Sequence, residues 1–598
     1  MTLAAPKIFA TRGEAKGYRL IFGYLGAFIA MIGGITLIPL LMIIVFPNEW
    51  RCWPSFFLPG ITAIFLGVLI YLLCLYHSEK GKMGRHMDAL LLVLLWVMAL
   101  LIGAFPFFLN GYLVPGAEVY TYSESVFEAA SGYTATGLTI YRSFFDTIIY
   151  GADGWTVLSN EAVQGIMELN APHIFFFYRS VCHFFGGVGL VLVAASAISD
   201  AHGMKLYTAE GHNDKLFPNL KKSARMILGI YSLYIVLGTL GLWLFGMDWF
   251  DALCHSTASI ATGGLSTRCA SFHYFLTSET ADYIGLSSGC SFSNLSGFNN
   301  IMPVNTVGME ITIIILMILG ATNFVLHMHL FTGKWKKFFR DCEVRLVIAI
   351  SFIFVPMMLV STLINSAFPG AGALTDVSFW DALRYSVFQF ISCLTTTGFA
   401  NVADINALGP AVLFLSIVAM TIGGGMGSTA GALKQYRVVI LGKEVYWHLK
   451  YRNAPKRMVY PKPITRMGER RQVSHDEAKE ASLYFIIYIV TLSVGVAILA
   501  ALPNITFDQA IYEVASSLSG TGNSMINFYP YASNSYAAYN PVAAYNFLLW
   551  ICTFYMFLGR LEIIPVYYAA NHVFHDVHDG IAHRRAARLL LKRQQENE

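Results

Sequence analysis

The chain has 598 residues, 56% of them hydrophobic and 13% charged, with a mean hydropathy of +0.56. A soluble protein carries about 25% charged residues, so a water-soluble globular body is excluded. The net charge of +4 is too small to point to nucleic acid, and the nine cysteines form no CxxC pair and no His/Cys cluster of metal-ligand spacing.

Ten long apolar segments are predicted in chain order, near 18–46, 55–77, 88–112, 173–198, 224–247, 307–331, 344–368, 409–440, 480–502 and 543–570. A bilayer core needs about 20 apolar residues per helix. The first run is long and follows polar and basic residues (Lys7, Arg12, Lys16, Arg19), so it reads as a span and not as a cleaved signal peptide. Basic clusters follow the second, fourth, sixth and eighth segments: Lys80 to Arg85, Lys205 to Arg225, Lys334 to Arg340, and Lys443 to Arg471. The tail adds Arg584, Arg585, Arg588, Lys592 and Arg593. The positive-inside rule then predicts that both termini are cytoplasmic. Cys269 and Cys290 share one predicted outer loop, where they either pair in an oxidising exterior or remain two thiols.

Four short segments recur between these spans: Ser131–Gly137, Thr257–Gly263, Ser392–Gly398 and Ser516–Gly522. Each ends in Thr-Gly and follows an apolar stretch too short to cross. An aromatic-acidic pair opens each stretch: Phe127-Glu128, Phe250-Asp251, Trp380-Asp381 and Phe507-Asp508. Acids suit a helix N-terminus because they meet its free N–H groups and positive dipole end. The predicted unit is therefore span, half-helix, Thr-Gly loop, span, repeated four times behind an N-terminal two-helix hairpin. Irregular backbone at membrane depth is tolerated only where protein buries it or a watery cavity meets it. Four such loops around one axis would present carbonyl oxygens in place of a cation's hydration shell. The fold class expected is an all-α integral membrane protein with four pseudo-repeats around one pore. Its predicted divisions are 1–86 (hairpin), 87–204, 205–340, 341–475 and 476–598, the last including a cytoplasmic tail.

Two features of the apolar segments stand apart. Gly423-Gly-Gly-Met-Gly-Ser-Thr-Ala-Gly431 interrupts the eighth, either as a close-packed small-residue helix or as a non-helical loop across the path. Arg560 lies inside the tenth, where a charge costs at least about 2.5 kcal/mol. It must face a watery path or an acid. Glu562, two residues on, does not share its helical face. Lys434 and Arg437 either snorkel to the cytoplasmic interface or belong with Arg560.

Further stretches occur along the chain in a recognisable order. They are Ser125 to Gly137, Tyr178-Arg179-Ser180 with Phe185-Gly-Gly-Val-Gly189, Ala209-Glu210-Gly211 with Lys215, and Asn323 with His327. Arg340-Asp341-Cys342-Glu343, Gly427-Ser-Thr-Ala-Gly431 and Gly559-Arg-Leu-Glu562 follow. Over nearly its whole length the chain resembles the Trk/Ktr/HKT superfamily of potassium transporters, the bacterial Trk translocating subunit in particular. The N-terminal hairpin favours the Trk branch.

That resemblance implies a K+ selectivity filter at Ala135, Thr136 and Gly137; Ala261, Thr262 and Gly263; Thr396, Thr397 and Gly398; and Gly520, Thr521 and Gly522. Glycine at all four last positions goes with potassium in the family. It further implies an intramembrane gate of Gly423, Gly424, Gly425, Gly427, Ser428, Thr429 and Gly431, with Arg560. K+ is the transported ion, and the expected partners are a second copy in a homodimer, membrane lipid, and a separate cytosolic nucleotide-binding regulatory subunit seated on the basic loops. The location implied is the bacterial inner membrane. The fourth loop, Ser519-Gly-Thr-Gly-Asn523, departs from the Asn-x-Gly-Pro-Gly form of many relatives, and the outer loops near 138–172 and 270–305 are longer than usual. No HExxH, GxSxG, Walker loop or GxGxxG strand-helix unit occurs, so no enzyme is expected. The alternative reading is a secondary transporter moving K+ together with H+ or Na+. Filter loops that enter from one side argue against it.

Overall fold

The structure is a computed structural model that describes residues 14–15, 17–76, 79–80, 87–114, 117, 119–140, 172–189, 220–268, 271–276, 305–368, 374, 377–402, 404–452, 461–503, 505–526, 541–575 and 578. Cys269, Cys290, the outer stretches 141–171 and 277–304, the segment with Ala209 to Lys215, and the tail arginines lie outside the described residues.

The described chain is helical apart from two small strand pairs. Two helices, α1 (Tyr18–Leu37) and α2 (Trp53–Leu75), come first. They pack closely because small residues face each other: a Cβ at Gly26 would lie 2.7 Å from the Gly67 carbonyl oxygen, and one at Gly33 would lie 2.6 Å from that of Gly60.

Four units of one order follow: a long helix, a short helix, a loop, and a further helix. The first has α3 (Met87–Gly103), α4 (Tyr122–Thr134) and α5 (His173–Val188). The second has α6 (Leu220–Leu244), α7 (Trp249–Ile260), and α8 (Thr306–Gly320) with α9 (Phe324–Phe331). The third has α10 (Cys342–Ala367), α11 (Phe379–Leu394), and α12 (Pro410–Ile422) with α13 (Gln435–Lys450). The fourth has α14 (His475–Ala500), α15 (Phe507–Ser519) and α16 (Pro541–Arg560).

Among the described residues six helices are long and apolar enough to cross a bilayer: Tyr18–Val45, Pro47–Leu75, Met87–Leu113, Lys222–Leu244, Cys342–Ala367 and His475–Ala500. The chain is an integral membrane protein. In the second, third and fourth units the last segment is not a straight span: α8 and α9 meet at 114°, α12 and α13 are separate helices, and α16 turns 105° into Ile564–His575. In the first unit α5 is capped by Gly189 (φ 98°). The predicted segment 409–440 is two helices separated by residues 423–434.

The short helices run 12 to 16 residues, or about 18–24 Å at 1.5 Å per residue, less than the ~30 Å core. Each begins on a polar group. Thr121 and Glu124 form a capping box on α4, Asp248 accepts from the Phe250 amide, Ser378 from Asp381, and the Gln509 side chain from Thr506. Asp251, Asp381 and Asp508 lie in first turns as expected. Glu128 does not, because α4 starts at Tyr122 and Glu128 falls in its interior.

The units are joined in a circle. Helix α5 packs on α7, α8 on α11, α12 on α15, and α16 returns to α4. The first, second and fourth units share one large apolar cluster with α1 and α2, and a second cluster spans α8, α11 and α12.

Candidate ion pathway

Each short helix ends in a left-handed residue: Ala135, Thr262 and Thr396 (φ 53° each) and Gly520 (φ 72°). The next amide turns back five residues: Thr136 to the Ser131 carbonyl (3.0 Å), Gly263 to Ala258 (2.9 Å), Thr397 to Ser392 (2.9 Å) and Thr521 to Ser516 (2.9 Å). The residue after that has positive φ and is glycine every time: Gly137 (101°), Gly264 (66°), Gly398 (87°) and Gly522 (83°). A side chain there is both strained and blocked. A Cβ at Gly137 would strike the Gly263 carbonyl oxygen, at Gly264 that of Thr397, at Gly398 that of Thr521, and at Gly522 that of Thr136. Each loop is therefore wedged against the equivalent carbonyl of the next, and the fourth closes on the first.

This geometry corrects the register of the second loop. Thr262, Gly263 and Gly264 occupy the places of Ala135, Thr136 and Gly137, one residue later than the expected Ala261, Thr262 and Gly263. Ala261 is the last right-handed residue of the helix end. Gly263 stands where the other loops have threonine, whose hydroxyls bond two residues back: Thr136 to Thr134 (2.7 Å), Thr397 to Thr395 (2.8 Å) and Thr521 to Ser519 (2.6 Å).

The backbone beyond the loops is tied to the short helices. Glu128 accepts from the Thr139 hydroxyl (3.0 Å) and Ile140 amide (3.1 Å), and lies 2.9 Å from Arg179 on α5. Asp251 pairs with Arg268 at 2.5 Å. Glu310 on α8 reaches Arg384 (2.8 Å) and Asn401 (2.9 Å) of the third unit. Glu128, Asp251 and Glu310 are thus balanced within the ring's supports.

Below the ring lies the segment 423–434. It is a loop, and its glycines turn it: Gly423 and Gly427 both have φ 72°. The helix-packing alternative does not hold. Its contacts reach the other loops. The Thr429 hydroxyl meets the carbonyls of Ile260 (3.0 Å) and Gly320 (2.9 Å) and the Thr262 hydroxyl (3.0 Å). The Gly431 amide donates to the Thr396 hydroxyl (3.0 Å), and a Cβ at Gly431 would strike the Ser519 carbonyl. The Gly425 amide donates to Ala321 (2.9 Å), and the Met426 amide to the Glu343 carboxylate (3.0 Å). Asp341, two residues earlier, accepts from the Glu343 amide (2.8 Å) and from the Met467 amide (2.7 Å) of the hairpin Pro463–Arg466/Glu469–Gln472.

Arg560 ends α16 and crosses the same level. Its guanidinium donates to the Thr429 carbonyl (3.0 Å) and to the carbonyls of Gly186 and Gly187 in the first unit. Glu562 pairs instead with Arg437 at 2.6 Å. Arg437 and Lys434 do not snorkel; Lys434 is buried and donates to the Ala430 carbonyl of its own loop. Between ring and loop is a small cleft lined by Thr134, Ala135, Thr429, Gly431, Gly520 and Arg560 among others. Such a cleft, walled by carbonyls and hydroxyls and crossed by one guanidinium, suits a partly hydrated small cation.

Sequence reasoning missed Gly264, the ties from Glu343 and Thr396 to the loop, and the role of Glu128 as a tether. The spacing from each ring glycine back to a polar helix residue was the available signal.

Residues 116–287 and 284–575 match the TrkH family model, described as a cation transport protein. The Trk system potassium uptake protein TrkH of Escherichia coli (strain K12) is 27% identical over 565 residues, covering 92% of this chain and 97% of that one. An uncharacterized cation transporter of Methanocaldococcus jannaschii is 26% identical over 564 residues, covering 93% and 95%. The crystal structure of the potassium transporter TrkH from Vibrio parahaemolyticus shares the fold with a TM-score of 0.66 at 23% identity, covering 92% of this chain and 97% of that one. The extent of the family match, on top of the ring and the broken helices, places the assignment beyond fold alone: this chain belongs to the TrkH family of cation transport proteins.

Proposed function

We propose that this protein takes up potassium, which passes through the ring of four loops and is stopped or released at the loop 423–434. The observation that carries the reading is the closed cycle of glycine against carbonyl, Gly137 to Gly263, Gly264 to Thr397, Gly398 to Thr521 and Gly522 to Thr136. A ring of backbone oxygens replaces water around a cation without placing full charge on the wall. The short helices point their C-terminal ends at the ring, and their negative dipole ends favour a cation there. Potassium is the ion named for the relatives, and glycine at all four ring positions keeps the coordination to backbone alone.

The gate in this reading is the loop with Gly423, Gly424, Gly425, Gly427, Ser428, Thr429 and Gly431, held shut by Arg560. Three carbonyl contacts keep the guanidinium across the path, where its charge opposes a cation far more than in water. The even-numbered basic clusters support cytoplasmic termini, and the relatives' place in a Trk system supports a separate regulatory subunit on the cytoplasmic face. A homodimer in the inner membrane completes the proposed assembly.

The test is tracer rubidium uptake into proteoliposomes with unlabelled potassium, sodium or lithium as competitor. Potassium alone should compete at equal concentration. Equal competition by sodium would refute potassium preference, and uptake only with an imposed proton or sodium gradient would refute a pore.

A further inference from the structure

Counting nine residues back from each ring glycine gives Glu128, His255, Gln389 and Glu513 on the four short helices. Counting two residues forward gives Thr139, Ser266, Ala400 and Ser524. In three units the two positions bond. Thr139 donates to Glu128 (3.0 Å), the Ser266 hydroxyl meets His255 Nε2 (2.9 Å), and Ser524 donates to Glu513 (2.6 Å). The third unit has no hydroxyl at Ala400, and its strand is held from the neighbouring unit by Glu310 through Asn401. So in the first, second and fourth units a side chain on the back of the short helix props the segment leaving the ring position, while in the third a glutamate of the neighbouring unit does so.

The first and fourth units share glutamate and differ in its balance. Arg179, seven residues before Gly186 on α5, lies against Glu128. Gly186 and Gly559 are equivalent, since a Cβ at one would strike the Tyr133 carbonyl and at the other that of Leu518, each two residues before the left-handed turn. Seven residues before Gly559 is Cys552, not arginine. Glu513 has no ion-pair partner among the described residues. One oxygen accepts from the Ser524 hydroxyl (2.6 Å), the Met525 amide (2.7 Å) and the Ile526 amide (3.0 Å), while the other is fully buried with no hydrogen-bond partner. The fourth loop thus hangs on one acceptor atom.

We infer that Glu513 is a selectivity-determining positioning residue: through a single carboxyl oxygen it sets the strand after Gly522, and with it the width of the fourth quarter of the ring. The inference rests on the ring being the ion path. In the first quarter the charge of Glu128 matters, since it balances Arg179. In the fourth only the acceptor matters.

The test compares Glu513→Ala, Glu513→Gln, Glu128→Gln and Ser524→Ala in planar bilayers, reading the potassium-to-sodium permeability ratio beside melting temperature. Glu513→Ala should lower the ratio by roughly tenfold, about the worth of one hydrogen bond to a carboxylate, with sodium current retained. Glu513→Gln keeps an acceptor for the three donors and should restore most of the loss. Glu128→Gln should lower both ratio and melting temperature, because it removes the charge beside Arg179. If Glu513→Ala does not fold, Ser524→Ala removes one donor and leaves the carboxyl, and should lower the ratio by a smaller factor. An unchanged ratio in Glu513→Ala (or in Ser524→Ala where that is the variant read), or equal loss in the alanine and glutamine variants, overturns the inference. A wild type that does not prefer potassium would instead remove the underlying reading, and the two failures are distinct.

Discussion

Arg437 and Glu562 lie 2.6 Å apart with side chains 13% and 12% exposed, and a Tyr484 ring lies 4.0 Å from the guanidinium. Removing one partner of such a buried pair costs about 3–5 kcal/mol, since the other charge is left without balance. Arg437→Ala should therefore lower the melting temperature in detergent by several degrees, and Arg437→Met with Glu562→Leu should recover much of it. Equal melting of wild type and the single variant would show that the pair bears no load. The ring glycines tell how far single residues were legible. Gly137, Gly398 and Gly522 stand out because each follows a threonine that itself has a hydroxyl partner. Gly264 does not, because Thr262-Gly263-Gly264 offers two glycines and only backbone angle chooses between them. Glu128 looked like a cap because aromatic-acidic pairs begin the other helices. The cap is made earlier, by Thr121 and Glu124, seven and four residues before it.

The loop 423–434 is held by groups from three units, and each tie can be cut singly. Glu343→Ala leaves the Met426 amide without its acceptor. Arg560→Ala removes three carbonyl contacts and the charge. Both should raise rubidium flux, Arg560→Ala the more, with the potassium-to-sodium ratio kept, because neither residue belongs to the ring loops. Flux at or below wild type in well-folded variants would remove the gate assignment. A falling ratio would show that loop and ring act as one part. The spans were legible at this scale because hydropathy over some 20 residues needs no tertiary information. The glycine-rich break was legible too, since each glycine costs a helix about 1 kcal/mol against alanine. The breaks at Ala321–Asn323 and Leu561–Ile563 were not. Glu562 and Ile563 take φ 55° without glycine, and only the packing of neighbouring units holds them there.

Across the whole molecule the circle of helices α5 on α7, α8 on α11, α12 on α15 and α16 on α4 makes one closed body from four similar units. The hairpin at 463–472 is tied to that body through Asp341, two residues before the Glu343 that holds the loop 423–434. The basic stretch 443–471 should retain a soluble regulatory partner in pull-downs at low salt and release it as salt rises, since exposed charges are screened beyond about 8 Å at physiological ionic strength. Capture that is unaffected by salt would point to an apolar interface instead. The pathway itself is tested most directly by reversal potentials in planar bilayers with potassium on one side and sodium on the other, for wild type and for Gly137→Ser, Gly264→Ser, Gly398→Ser and Gly522→Ser. A strongly potassium-selective potential in wild type, moved toward zero by every one of the four substitutions, is the predicted result; four folded, conducting variants with the wild-type potential would contradict the claim that ions pass through this ring.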